Sequence, residues 1–278
     1  MKDYGLFQTK SPLLMEVLDR CGQIALTPTS VLISGESGTG KTTLARYIVQ
    51  RSRSPQVPVI WTSGLQASEL KNQDTVIVED LANLSSEMQA RLSATVDQCR
   101  MDRSKYVRWI AMVSQEPAEL LRLEKLRKDL FYRFGVFHFE LPRLKNRAQD
   151  IEGLAELFVR VSSLISNKAE KQLSRSAVDK LMTHNWTGNV RELESVIERA
   201  VAASIGPVIA DTDLVFQVQV ETAPPVFTGQ TLSEMERKLI VQTLQITQQN
   251  KTRAAQLLGI SIRTLRNKLN EYRALGML

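Results

Sequence analysis

Thr29-Ser30-Val31-Leu32-Ile33-Ser34-Gly35-Glu36-Ser37-Gly38-Thr39-Gly40-Lys41-Thr42 begins as an apolar run and closes in a glycine-rich turn. Thr29 to Ser34 reads as a short buried strand, and Thr42 to Arg51 has helical character. Between them, Gly35 to Thr42 fits the pattern G-x-x-x-x-G-K-[ST]. The glycines let the backbone curl so that successive N–H groups converge on phosphate oxygens. The positive end of the following helix adds to that field. Gly35, Glu36, Ser37, Gly38, Thr39, Gly40, Lys41 and Thr42 are therefore expected to cradle ATP. Lys41 would reach the β- and γ-phosphates, and the Thr42 hydroxyl would ligate Mg²⁺.

Strand-like runs recur at Val57 to Trp61, Thr75 to Val78, Val107 to Val113 and Val136 to Leu141. Ser85 to Asp97 reads as an amphipathic helix with Met88, Leu92 and Val96 on one face. Alternating strands and helices predict an α/β fold with a parallel sheet. A nucleotide hydrolase also needs an acid at the end of a neighbouring strand, to hold Mg²⁺ and orient water. Thr75-Val76-Ile77-Val78-Glu79-Asp80 supplies two, Glu79 and Asp80. After Pro142 the pattern turns helical, and from Gln149 to Ala203 no strand is apparent. Gly206-Pro207 stops the last helix, and 206–229, with Pro224-Pro225, reads as a linker. The chain is helical again from Thr231.

The 278 residues suffice for about two domains. The net charge is +6. From Gly229 to Leu278 there are eight basic and three acidic residues, so nearly all of the excess lies at this end. A basic tail of this kind suits a polyanion such as DNA. Cys21 and Cys99 stand far apart with no nearby His, which excludes a disulfide framework and fits a reducing cytoplasm. No apolar run is long enough to span a bilayer, and the N-terminus lacks the pattern of a secretory signal. A cytoplasmic protein with no membrane partner is expected.

Several segments together resemble the bacterial enhancer-binding proteins, AAA+ ATPases that activate sigma-54 RNA polymerase. Gly35 to Thr42 is similar to their phosphate loop. Leu126-Arg127-Lys128-Asp129-Leu130-Phe131-Tyr132-Arg133-Phe134 resembles their arginine-finger segment. Leu141-Pro142-Arg143-Leu144-Lys145-Asn146-Arg147 with Asp150-Ile151 resembles the start of their helical lid. Trp186-Thr187-Gly188-Asn189-Val190-Arg191-Glu192-Leu193-Glu194 resembles their second sensor motif. The resemblance implies an AAA+ P-loop fold with a parallel sheet, a helical lid and a C-terminal all-α helix-turn-helix domain. The corresponding divisions are 1–142, 143–205, a 206–229 linker and 230–278. It further implies that Arg127 and Arg133 reach the γ-phosphate held by a neighbouring subunit, which ties hydrolysis to ring assembly. Arg191 would sense the γ-phosphate from the lid, with an intrahelical pair to Glu192 or Glu194 as the alternative. Trp186 is expected in the lid core.

The chain also departs from that pattern. The family places a Gly-Ala-Phe-Thr-Gly-Ala loop, which touches the sigma factor, between the phosphate loop and the acidic strand. Here Lys41 and Glu79 are only 38 positions apart and no such motif occurs. The stretch Thr62 to Asn72 replaces a longer insertion. The family's acidic pair is Asp then Glu, whereas here it is Glu79 then Asp80. Val113-Ser114 stands in place of the first sensor's Thr-Asn, and Thr62 in place of an Asn that couples to the catalytic acid. Ser11-Pro12 and Met15 already match the start of the AAA+ core, so an N-terminal regulatory domain is not expected. These departures predict intact ATP binding and impaired hydrolysis, and they count against direct remodelling of sigma-54 polymerase. The implied role is that of a repressor, or of a partner joining a complete activator in a hetero-oligomer. The alternative is an autonomous ATP-hydrolysing activator that uses a different surface loop.

At the C-terminal end, Thr231 to Gln249 reads as a long helix through which such units dimerise. Lys251 to Gly259 reads as a second, short helix. Gly259-Ile260-Ser261 is the turn, and Ser261 can N-cap the recognition helix Ile262 to Arg273. The segment resembles the factor-for-inversion type of helix-turn-helix. Ser261, Arg263, Thr264, Arg266, Asn267 and Lys268 are the candidates for the major groove of double-stranded DNA, and Lys251 and Arg253 for its phosphates.

Overall fold

The computed structural model describes residues 7–216 except 54 and 103, and residues 240, 243, 250–257 and 259–274 of the C-terminal part. The chain divides into two units, Met1–Gln217 and Val218–Leu278.

The first unit is built on five parallel strands: β1 (Val31–Ser34), β2 (Val59–Ile60), β3 (Thr75–Val78), β4 (Arg108–Val113) and β5 (Phe137–Glu140). Their order across the sheet is β2-β3-β4-β1-β5. β1, β3 and β4 are buried along their whole length. That is why the sequence shows continuous apolar runs there rather than alternation. Ser34 pairs in register with Val113 and Val78 with Ala111. The C-terminal ends of β3, β4 and β1 therefore lie side by side, where ligands of open α/β sheets bind.

Successive side chains of β1, β3 and β4 feed two cores. On one face, α1 (Pro12–Ala25) and α2 (Lys41–Gln50) bring Leu14, Leu18, Leu44 and Ile48 against Val31, Ile33, Ile77 and Met112. On the other, α3 (Ser86–Met101), α4 (Pro117–Arg122) and α5 (Lys128–Phe134) pack Leu92, Val96, Leu120 and Phe134 against Leu32, Val76, Val78 and Trp109. Ser85 caps α3 by accepting from the Met88 N–H. Arg108 is buried at the opposite end of the sheet from the phosphate loop. Its guanidinium donates to the carbonyls of Ile24, Ala25 and Thr29, satisfying the end of α1.

The connection from β2 to β3 is short and tied down. A 3-10 turn at Ala67–Glu69 is closed by mutual Gln66–Glu69 bonds. Ala67 and Leu70 are buried, and Lys105 Nζ donates to both of their carbonyls at 2.8 and 3.2 Å. The Asn72 side chain accepts from the Tyr106 N–H.

The lid follows a 3-10 segment at Leu144–Asp150 and comprises α6 (Ile151–Ile165), α7 (Arg175–Thr183) and α8 (Asn189–Ala203) around a common core. Trp186 is 2% exposed in that core and donates its indole N–H to the Leu181 carbonyl. Two features of this region differ from expectation. A two-residue strand β6 (Gln172–Leu173) lies within the supposedly all-helical stretch and pairs with β7 (Val208–Ile209). The start of the expected linker thus belongs to the lid: Ile209 and Leu214 are buried in its core, and Phe216 stacks on His184. Two-residue strands are too short to give a periodic signal, so the stop at Gly206-Pro207 was the only sequence cue.

In the second unit, α9 (Lys251–Leu257) and α10 (Ile262–Ala274) are joined by a turn in which Gly259 has φ +67°. Asn250 caps α9 through the Arg253 N–H, and Ser261 caps α10 through the Thr264 N–H. Leu265 and Leu269 face inward with Ala254, Ala255 and Ile240. Most of the expected first helix, Thr231 to Gln249, lies outside the described residues; Ile240 and Thr243 are helical.

Candidate nucleotide site and DNA-binding helix

The phosphate loop leaves β1 and enters α2 with Gly35, Gly38 and Gly40 all at positive φ. At Gly38 glycine is required twice over. Its φ is +78°, and an added Cβ would stand 2.2 Å from the Gly188 carbonyl oxygen of the lid. The loop, the acidic strand end and the lid line an open cleft of about 360 Å³, within the range of small-molecule sites. Its lining includes Lys41, Thr42, Glu79, Asp80, Ser114 and Arg191.

Lys41 Nζ donates to the carbonyls of Gly35 and Glu36 at 2.6 and 3.0 Å and approaches Ser114 Oγ at 3.4 Å. Burial lowers its pKa, while Asp80 pulls the other way. The ammonium is thus half-withdrawn from water and bonded only to oxygens, the environment a phosphate would also supply. Glu79 is exposed on the cavity wall. Asp80 has a left-handed backbone, φ 45°, and its carboxylate accepts from Asn83 Nδ2 at 2.6 Å. Ser114 Oγ lies 3.4 Å from the same carboxylate. Thr62 is exposed and does not line the cavity; Asn83 and Ser114 are the residues that touch the acid. Asn83, three residues beyond Asp80, is a local signal that the sequence reading passed over.

The lid adds Arg191, which donates to Ser37 Oγ at 3.2 Å. Glu192, one of its suggested partners, instead accepts from the Gly188 N–H. Glu36 forms an ion pair with Arg143 at 2.9 Å. Arg127 and Arg133 do not line the cavity. Arg127 is exposed and grips Asp129 through two nitrogens. Arg133 is half-buried and holds Asp97 across α3.

On α10, Thr264, Arg266 and Asn267 are exposed and Lys268 is half-buried. The Ser261 and Thr264 hydroxyls bond each other at 2.8 Å, so both belong first to the helix cap. Lys251 and Arg253 are exposed on α9. Arg263 lies on α10, with its side chain outside the described residues.

Comparison with known proteins bears on all of these parts. The Sigma-54 interaction domain profile matches residues 9–144, an AAA+ ATPase lid domain 145–226, and the bacterial regulatory protein Fis family 231–272. The chain is 32% identical to the transcriptional regulatory protein FlbD of Caulobacter vibrioides over 320 residues, covering 96% of this chain and 70% of FlbD. It is 32% identical to the regulatory protein AtoC of Escherichia coli over 313 residues, covering 97% and 68%. Both alignments are longer than this whole chain, so both relatives carry residues that it lacks within the matched span. Among solved structures, Brucella abortus NtrX in complex with ADP superposes with a TM-score of 0.65 at 20% identity, covering 95% of this chain and 69% of NtrX. The Thermotoga maritima RuvB branch migration motor superposes with a TM-score of 0.53 at 16% identity, covering 92% and 84%. These two establish the AAA+ fold alone. With a sigma-54 interaction domain, an AAA+ lid and a Fis-type helix-turn-helix in this order, the chain belongs to the sigma-54 activator family of DNA-binding transcription regulators.

Proposed function

We propose that the chain binds Mg-ATP at Gly35 to Thr42 and uses it to govern assembly on DNA, as a repressor or as the partner of a complete activator. The short, tied-down connection between β2 and β3 carries this reading. The family's sigma-contacting loop would have to emerge between the phosphate loop and the acidic strand. In this chain that span ends in a 3-10 turn fastened by Lys105, while both relatives have additional residues within the matched span.

The site suits the nucleotide. Positive-φ glycines expose the loop backbone, Lys41 is held among oxygens, and Arg191 reaches the loop from the lid. The Thr42 hydroxyl and Glu79 would hold the Mg²⁺, whose charge would neutralise the phosphates. Asp80 would orient water, although its carboxylate is shorter than the family's and tethered to Asn83. Small misplacements are expensive in catalysis, so binding without fast turnover follows. Arg127 and Arg133 would act on the nucleotide of a neighbouring copy. Their carboxylate partners on the same chain hold them until that surface docks. The Fis-type helix-turn-helix would present Arg263, Arg266, Asn267 and Lys268 to the major groove, with Lys251 and Arg253 on phosphates.

The test is transcription from a supercoiled template with sigma-54 polymerase. This chain alone should yield no open complex, and ATP turnover should be very slow. Added to a complete family member, it should change that member's output. Open-complex formation by this chain alone would overturn the partner reading in favour of an autonomous activator.

A further inference from the structure

Three successive carbonyls of the phosphate loop accept hydrogen bonds from the lid and from the 3-10 segment that leads into it. The Ser37 carbonyl accepts from Asn189 Nδ2 at 3.1 Å, Gly38 from the Val190 N–H at 2.9 Å, and Thr39 from Arg147 Nη2 at 2.7 Å. In a trans peptide the N–H points opposite to the C=O. Fixing these carbonyls toward the lid therefore aims the Gly38 and Gly40 N–H groups away from it. Asn189 is fully buried, takes a left-handed φ of 54°, and accepts from the Leu144 N–H at 2.9 Å. It thereby ties the loop to the start of α8 and to the segment that leads into the lid.

Arg147 is the less expected member. It is 3% exposed, and its Nε has no hydrogen-bond partner. Its backbone breaks the 3-10 segment at φ −134°, ψ 47°. Burial lowers the pKa of the guanidinium, with Asp150 opposing. Asp150 in turn accepts from the Thr9 hydroxyl and from the N–H groups of Lys10 and Ser11. A buried cation with an unpartnered nitrogen is a poor source of stability. Its placement makes sense as a device that links the segment leading into the lid to the phosphate loop, while Asp150 of the same segment holds residues 9–11.

We propose that Arg147 and Asn189 are positioning residues that give the phosphate loop its phosphate-holding shape only while the lid is docked. Lid docking and ATP affinity are then a single equilibrium. Any partner that moves the lid changes ATP affinity, and ATP opposes that movement by the same factor. This inference rests on the reading of Gly35 to Thr42 as the ATP site.

The experiment uses the full chain and two readouts. One is amide exchange of residues 36–43 without nucleotide; the other is equilibrium binding of a fluorescent, non-hydrolysable ATP analogue with Mg²⁺. The variants are R147M and N189G, glycine being suited to the backbone of residue 189. R108M is the control, since Arg108 is equally buried and bonded to three carbonyls but remote from the loop. Both test variants should exchange faster at 36–43 and bind the analogue about tenfold more weakly or worse. R108M should lower thermal stability and leave both readouts unchanged. The proposal is overturned if R147M and N189G stay within about twofold of wild type with exchange unchanged. It is equally overturned if R108M weakens binding as much at a matched loss of stability. Should the wild type fail to bind the analogue, the ATP reading falls, and amide exchange alone still decides whether the lid shapes the loop.

Discussion

Replacing Gly38 by Ala tests the tightest glycine packing among the described residues. The added Cβ would stand 2.2 Å from the Gly188 oxygen, whereas ordinary contact begins near 3.4 Å. The two backbones must part by roughly 1 Å. The Val190-to-Gly38 and Asn189-to-Ser37 hydrogen bonds, at 2.9 and 3.1 Å, then lengthen beyond useful range. Each contributes about 0.5–1.5 kcal/mol. Holding alanine at φ +78° adds roughly 1–2 kcal/mol. The sum is a loss of about 2–5 kcal/mol, which lowers the melting temperature by on the order of 10 °C. Differential scanning fluorimetry with and without saturating Mg-ATP reads both consequences. Wild type should gain about 2.7 kcal/mol at a ligand concentration one hundred times Kd, and G38A should lose most of that gain. Gly64→Ala, where the added Cβ meets nothing within 4 Å, is the control. If G38A melts within about 2 °C of wild type and keeps its ATP response, the loop and lid do not depend on each other as argued.

Three further expectations are independent of that one. Asp129, held by Arg127 and Ser93, has a pKa pulled down to about 2. Its contribution to stability is present above the ordinary carboxylate range and lost as pH falls toward 2, so D129N should destabilise at pH 7 and have little effect near pH 2 in acid-denaturation curves. Thr42→Ala should bring ATP affinity in Mg²⁺ down to the metal-free value, measured by calorimetry; retention of the Mg²⁺ effect would remove Thr42 from the metal site. Duplex DNA binding should weaken steeply with salt, and Arg266→Ala should either flatten that slope by about one or relax base preference. A variant with unaltered slope, affinity and preference would take Arg266 out of the interface.

The strands and the phosphate loop were legible because β1, β3 and β4 are buried on both faces, and burial writes an unbroken apolar run into the sequence. The loop motif marks Lys41 and Thr42, and the end of an apolar strand marks Glu79 and Asp80; all four line one cavity. What was not legible is instructive. β6 and β7 are two residues long, so neither shows a period, and Ile209 and Leu214 could not be assigned to the lid. Nor does any local rule predict that the carbonyls of Ser37 to Thr39 bond to residues more than a hundred positions away. In the sequence Arg147 and Asn189 stand only as members of longer motifs. Their contacts with the loop depend on tertiary placement, which spacing does not encode.

Asp80 carries a consequence for how this chain could change over time. Its left-handed φ of 45° is a conformation that aspartate adopts more readily than glutamate, since the short side chain can bond locally. Here it does so, to Asn83. Restoring the family's longer acid at this position would cost roughly 1–2 kcal/mol and break the Asn83 contact before any catalytic benefit appeared. The shortened carboxylate and its backbone are thus coupled. Exchanging residue 80 for a longer acid is therefore uphill in stability unless the turn at residues 80–83 changes with it.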